Sequence, residues 1–170
     1  LGDDQATERE KLEAFLADML EAGLVADAVI AETVDQEQRL WAVRDEVPAD
    51  YQTAFADMVA FDVSIPVAHM IEAVGSLRAD LMERVPEADR LIYGHLGDDN
   101  LHLVLGFQQP VETGLKTSIE TLVYDRVRAV AGSVSAEHGI GRWKRPWLAH
   151  TRSPAEVETM RRLKAALDTR

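Results

Sequence analysis

Residues 93–105, "YGHLGDDNLHLVL", constrain the fold more than any other stretch. Two apolar arms, "RLIYGHL" (90–96) and "NLHLVLGF" (100–107), flank a short polar turn containing Gly97, Asp98 and Asp99. Apolar, β-branched runs joined through such a turn predict an antiparallel pair of strands. That pairing disfavours a doubly wound parallel sheet and points to an α+β fold. With the turn centred between Asp98 and Asp99, Leu96 faces Leu101 and His95 faces His102. Opposed Cβ atoms lie roughly 5 Å apart. Two imidazoles held that way can share a metal ion, or simply pack as a cross-strand aromatic pair.

Around the hairpin, Thr7 with Glu10 has capping-box form and opens a helix that ends at Gly23. "VADAVIAET" (25–33) predicts a strand, and 35–47 a helix closed by Pro48. The segment 58–66 predicts a strand and 67–81 a long amphipathic helix. Residues 112–131 predict another helix, 133–137 a short strand, and Ser153 with Glu156 caps the last helix. The expected architecture is a ferredoxin-like α+β sandwich, an antiparallel sheet with helices mainly on one face, whose first strand would lie upstream of Leu1.

Composition narrows the chemistry. Thirty acidic against 18 basic residues give a formal net charge of −12, which repels phosphate backbones, so no nucleic-acid partner is expected. No apolar run reaches the roughly 18 residues of a membrane span. Cysteine is absent, which removes thiolate ligands and a cysteine nucleophile and makes the cytoplasm the default compartment. The chain starts on Leu1 without a methionine, and a fragment of a longer protein is expected.

A second histidine motif, "SVSAEHGIGRWKR" (133–145), bears on the first. The glycines of "EHGIG" free the backbone, so that Glu137 and His138 could converge on the hairpin. His95, His102 and Glu137 would then form a two-histidine, one-carboxylate set suited to Zn²⁺, Mn²⁺ or Fe²⁺. His138 would be left for proton transfer near neutral pH. From the residues alone, two readings stay open: a stand-alone metal-dependent hydrolase, or a non-catalytic α+β interaction module whose histidines merely pack.

Taken together, "GHLGDDNLH" resembles the G-H-x-G-D-G-N-x-H motif of the FAD-linked oxidases and dehydrogenases, and "SAEHGIGRWKR" their S-x-E-H-G-I-G-x-x-K-R motif. "LWAVRDEV" and "FDVSIPV" are similar to two further family segments. The family includes D-lactate dehydrogenases, the glycolate oxidase flavin subunit and D-2-hydroxyglutarate dehydrogenases. The resemblance implies that residues 1–170 are a C-terminal substrate and metal domain, whose FAD-binding domain lies outside the chain and is its partner. It implies dehydrogenation of a D-2-hydroxy acid by the full-length protein, with hydride passing to FAD, and an isolated fragment that is inactive. By the same resemblance, His95, His102 and Glu137 match metal ligands, with Zn or Mn as the ion. His138 matches a catalytic base, and Arg44 a group that pairs with the substrate carboxylate. Lys144 and Arg142 would lie near substrate or flavin, and Asn100, Glu137, His138 and Gly139 would adjoin the cofactor. Apolar surface left open towards the absent domain would favour a homodimer.

The resemblance departs at Asp99, where the family has glycine; aspartate tolerates the left-handed conformation, so the hairpin is expected to survive. Hydroxyglutarate-type members also carry threonine, lysine and asparagine where Pro48, Ala60 and Val104 stand. That difference implies a less polar or bulkier substrate.

Overall fold

A computed structural model describes residues 4–168, and the side chains of all of these but 5, 47–50 and 52. The chain divides into two compact units, Leu1–Pro48 and Ala49–Arg170.

In the first unit, α1 spans Gln5–Glu21 and α2 begins at Val34, running to Ala54. Asp4, rather than Thr7, is the N-cap of α1: it accepts from the Ala6 N–H and from the Thr7 hydroxyl. Gly23 takes a positive φ of 67° just past the helix end, as expected. Residues 25–33 are not a strand; Val29 is 74% exposed, and no sheet edge in this unit pairs with the segment. β-Branched residues favour a strand only where a partner supplies the hydrogen bonds. The expected stop at Pro48 is also absent. A proline costs its helix one N–H bond, and the helix runs through it to Ala54.

The second unit carries the core. β1 (Asp57–Ser64), β2 (Asp89–His95) and β3 (Asn100–Phe107) form an antiparallel sheet in the order β1-β3-β2. Along β1 the side chains alternate: Val59, Phe61 and Val63 are buried with Leu101, Leu103 and Leu105 of β3. α3 (Val67–Arg84) and α4 (Thr113–Ala129) cover this face. α3 contributes Met70, Ala73, Leu77 and Leu81, and α4 contributes Ile119, Val123, Tyr124 and Val127, at helical spacing. Phe61 meets Tyr124 edge to face at 5.5 Å. Each fully buried Leu or Ile contributes about 1.5–3 kcal/mol. Arg90 donates to the Leu81 and Val85 carbonyls, placing a cation at the C-terminus of α3.

Strand 133–137 is reduced to one antiparallel bridge, Ser64 to Ser133, on the free edge of β1. That bridge occupies the fourth position of a β-α-β-β-α-β arrangement that starts at Asp57. The ferredoxin-like order is therefore contained in the chain, and no strand ahead of Leu1 is required for it. α5 (Pro154–Leu167) carries the expected capping box on Ser153 and Glu156.

Asp57 ties the start of β1 to α4 and the loop before it, accepting from the Lys116 ammonium (2.8 Å) and from the Val111 and Met58 N–H groups. The Lys116 bond, with Val111, brings its carboxyl down to about 2. An unfolded aspartate titrates near 3.9. The contribution to stability is thus complete above about pH 4 and is lost as the pH falls through about 2. Between about pH 5 and pH 2 the melting temperature of the parent is expected to fall further than that of Asp57→Asn. Equal losses in the two proteins would refute the assignment.

Candidate active site

The sheet face opposite α3 and α4 carries the polar residues. The pairing of β3 with its neighbours sets them in rows: Asp62, His102 and Tyr93 side by side, then Ser64, Asn100 and His95. His95 therefore faces Asn100, and it is Tyr93 that faces His102. The expected opposition of the two histidines is wrong by one step of the pleat repeat. Leu96–Asp98 form a 3₁₀ turn and Asp99 takes the left-handed conformation, φ 61°, so the turn is longer than two residues. Both histidines nonetheless stand on one face, because a shift of two residues preserves it. Their rings are 5.5 Å apart, and the Tyr93 ring lies 4.9 Å from His102.

Asp99 has a use that glycine would lack. Its carboxylate accepts from the Val67 N–H at the start of α3 (2.7 Å), and its carbonyl accepts from the Ile65 N–H. α3 has no other side-chain cap at that end.

The second motif reaches the same face through Asp62. This carboxylate, 3% exposed, accepts from the backbone N–H groups of Ala136, Glu137 and His138 and from the Ser135 hydroxyl. Lys144 completes the set, donating to its carboxylate at 3.1 Å and to its carbonyl at 2.7 Å. Burial pushes the Asp62 carboxyl up, but the His138 and Glu137 N–H groups and the Lys144 ammonium outweigh it and hold it well below the usual carboxylate range. Gly139 and Gly141, with φ of 73° and 51°, turn the loop back, as "EHGIG" predicts.

The side chains of His95, His102 and Glu137 thereby converge, offering ligand atoms within 4.8 Å of one another. Two ligands about 2.1 Å from one ion stand at most about 4.2 Å apart. His95 and Glu137, 41% and 43% exposed and 3.7 Å from each other, have room to close that difference. Buried Asn100 sits beneath: its amide donates to Glu137 Oε1 and lies 3.3 Å from His102 Nε2. Burial lowers the pKa of His102 despite the Glu137 and Asp62 charges, which favours the neutral imidazole that ligation uses. The donor set fits a divalent cation.

His138 lies beside this cluster, its ring 5.8 Å from that of His102. Gly139 is exposed next to it, as are Arg142 and Trp143. Lys144, which the resemblance sets near substrate or flavin, gives its ammonium to Asp62, and its side chain is 14% exposed. Arg44 belongs to the first unit, on α2, where its guanidinium donates to Asp45. His150 bonds Asp125 and meets Trp147 edge to face, away from the cluster of imidazoles. Sequence reasoning missed Asp62 and Tyr93. The signal for Asp62 was present: a lone carboxylate inside the apolar run "MVAFDVSIP", out of phase with Val59, Phe61 and Val63.

The family profile described as "FAD linked oxidases, C-terminal domain" matches residues 1–170. The mitochondrial D-2-hydroxyglutarate dehydrogenase of Arabidopsis thaliana is 39% identical over 167 residues, covering 98% of this chain and 29% of that protein. The D-2-hydroxyglutarate dehydrogenase of Stutzerimonas stutzeri is 32% identical over 173 residues, 96% of this chain and 36% of that protein. A D-2-hydroxyglutarate–pyruvate transhydrogenase of Saccharomyces cerevisiae is 29% identical over 174 residues, 98% of this chain and 35% of that protein. The chain thus spans about a third of the length of these curated relatives.

If Asp62 holds the motif loop, Asp62→Asn turns an amide towards donors that had met a carboxylate. Amide hydrogen exchange within 133–145 is expected to quicken about ten- to a hundredfold, the equivalent of one charge-assisted hydrogen bond. Unchanged exchange there, or an even rise across the sheet, would remove Asp62 from this role.

Proposed function

As the chain belongs to the C-terminal-domain family of the FAD-linked oxidases, we propose that it is the substrate and metal domain of an FAD-dependent D-2-hydroxy-acid dehydrogenase. The observation that carries the reading is the convergence of His95, His102 and Glu137 over buried Asn100, with His138 beside them. The names of the relatives share one reaction type, removal of hydrogen from a 2-hydroxy acid.

His95, His102 and Glu137 would hold a divalent cation, Zn²⁺ or Mn²⁺, which supplies a Lewis acid for the substrate oxygens when bound. FAD, held mainly by a domain outside this chain, supplies the acceptor for the hydride that leaves the substrate Cα. This chain's own residues do the rest. His138 takes the hydroxyl proton on a ring nitrogen, so the alcohol becomes a 2-oxo acid as the C–H bond gives up its electron pair. Arg44, in the first unit, pairs with the substrate carboxylate, for which the guanidinium fork is shaped. Asn100, Glu137, His138 and Gly139 form the part of the chain nearest the flavin. Lys144 serves the site through Asp62.

Among the described residues no helix is long and apolar enough to cross a membrane. A cytoplasmic location and a homodimer complete this reading. The first follows from the lack of cysteine, and the second from exposed apolar side chains such as Phe15, Trp41 and Leu167.

The full-length protein is expected to be yellow, to lose its visible flavin band on adding a D-2-hydroxy acid, and to hold about one divalent ion per chain. His102→Ala should lose the ion, and His138→Gln should lower kcat by about 10²–10⁴-fold with the ion retained. A colourless full-length protein, or an ion content indifferent to His102→Ala, would overturn the proposal.

A further inference from the structure

Asn100 occupies the corner of the cluster. It stands beside His95 in one row of the sheet and two residues from His102 along β3, with all three side chains on one face. β3 is the central strand, so the Asn100 backbone is paired on both sides, with Ser64 of β1 and His95 of β2. β2 closes so tightly here that a Cβ at Gly94 would strike the Asn100 carbonyl. The side chain therefore rises from a fixed point, and the residue is only 1% exposed, less than Asp62 or His102.

An asparagine is poor material for such a place. Its Oδ1 is buried and meets no donor among the described residues. A buried carbonyl without a partner costs free energy that an apolar side chain of similar size does not. The fold thus gains little from this amide, and its use lies at the other end. Nδ2 donates to Glu137 Oε1 and stands 3.3 Å from His102 Nε2. The same Oε1 faces His95 Nε2 at 3.7 Å. One enclosed amide touches the carboxylate and one imidazole, and it turns that carboxylate towards the other imidazole.

Glu137 has need of such a guide. Its backbone N–H is fixed by Asp62, which sets the Cα, but the side chain is long and 43% exposed. A glutamate free to rotate loses that freedom when it takes a ligand, and the loss weakens binding. A donor rooted in the centre of the sheet removes part of the freedom beforehand.

We propose that Asn100 is a positioning residue of the ion site: its amide holds the Glu137 carboxylate towards His95 and His102, so that a divalent cation meets three donors already arranged. The inference rests on the reading of His95, His102 and Glu137 as ion ligands and deepens it. Asn100 acts through Glu137, and the fold does not depend on it.

The test is the Zn²⁺ affinity of the full-length flavoprotein, measured by competition with a chromogenic chelator. Asn100→Leu and the smaller Asn100→Ala should each bind Zn²⁺ about 10–100-fold more weakly than the parent. With the ion stripped, their unfolding midpoints should stay within about 3 °C of the parent's, because the amide they lose carried an unmet carbonyl. In a Glu137→Ala background the same two substitutions should change the affinity less than about threefold, since the group they act through is gone. Affinity indifferent to both substitutions, or lowered equally with and without Glu137, removes Asn100 from this role and leaves the ion site standing. Midpoints that fall well beyond that limit in both variants make Asn100 a structural residue and overturn the inference. A parent that binds no Zn²⁺ overturns the inference and the ion site together.

Discussion

A buried carboxylate, Asp62, is the constraint on which the site depends. Burying a charge costs several kcal/mol unless donors surround it. Here the donors are three consecutive backbone N–H groups, a hydroxyl and an ammonium, all from one loop. The cost of burial thereby becomes a specification: the charge is tolerable only when residues 135–144 lie in one arrangement. That arrangement delivers the side chains of Glu137 and His138 to the face bearing His95 and His102. Lys144 balances the charge from the side, so the loop closes on both ends of a single carboxylate.

Much of this was legible, for a reason that differs from element to element. The hairpin was readable because its apolar arms alternate and its turn is polar. The pairing register was not, since a two-residue turn and a 3₁₀ turn ending in a left-handed Asp99 look alike in sequence. Period two rescued the functional conclusion, because a shift by two moves His95 along the sheet without turning it over. The error at 25–33 has another origin: strand propensity is a statement about fit to a neighbour, and among the described residues no strand pairs with it. At 133–137 the backbone's partners turned out to be mostly a side chain. Only Ser133 bonds to a strand, and the following N–H groups go to Asp62. The Lys144–Asp62 contact was not legible, because the motif shows that a cation stands there, not which anion it meets.

The sheet serves two chemistries by parity alone. Odd-numbered residues of β1, Val59, Phe61 and Val63, build the core with α3 and α4. Even-numbered ones, Ser64, Asp62, Ala60 and Met58, run in order from polar to apolar across the open face. Core packing fixes the strands, and the strands fix the spacing of this gradient to the pleat. The two-residue step that separates a buried valine from its neighbour also separates the row of Asp62, His102 and Tyr93 from the apolar one.

The Asp99 clip has a consequence for how the site can open. By accepting from Val67 and Ile65, it bolts the tip of the hairpin to the first turn of α3, whose far side is sunk in the core. The half of the site that carries His95 and His102 is therefore an anvil. The other half, Glu137 and His138, is hung from the sheet by hydrogen bonds to one carboxylate, between the apolar anchors Val134 and Ile140. Any opening of this face should therefore swing residues 135–139 away while the hairpin stays put. The site is then a latch with a single movable side, hinged between Val134, sunk in the core, and Ile140.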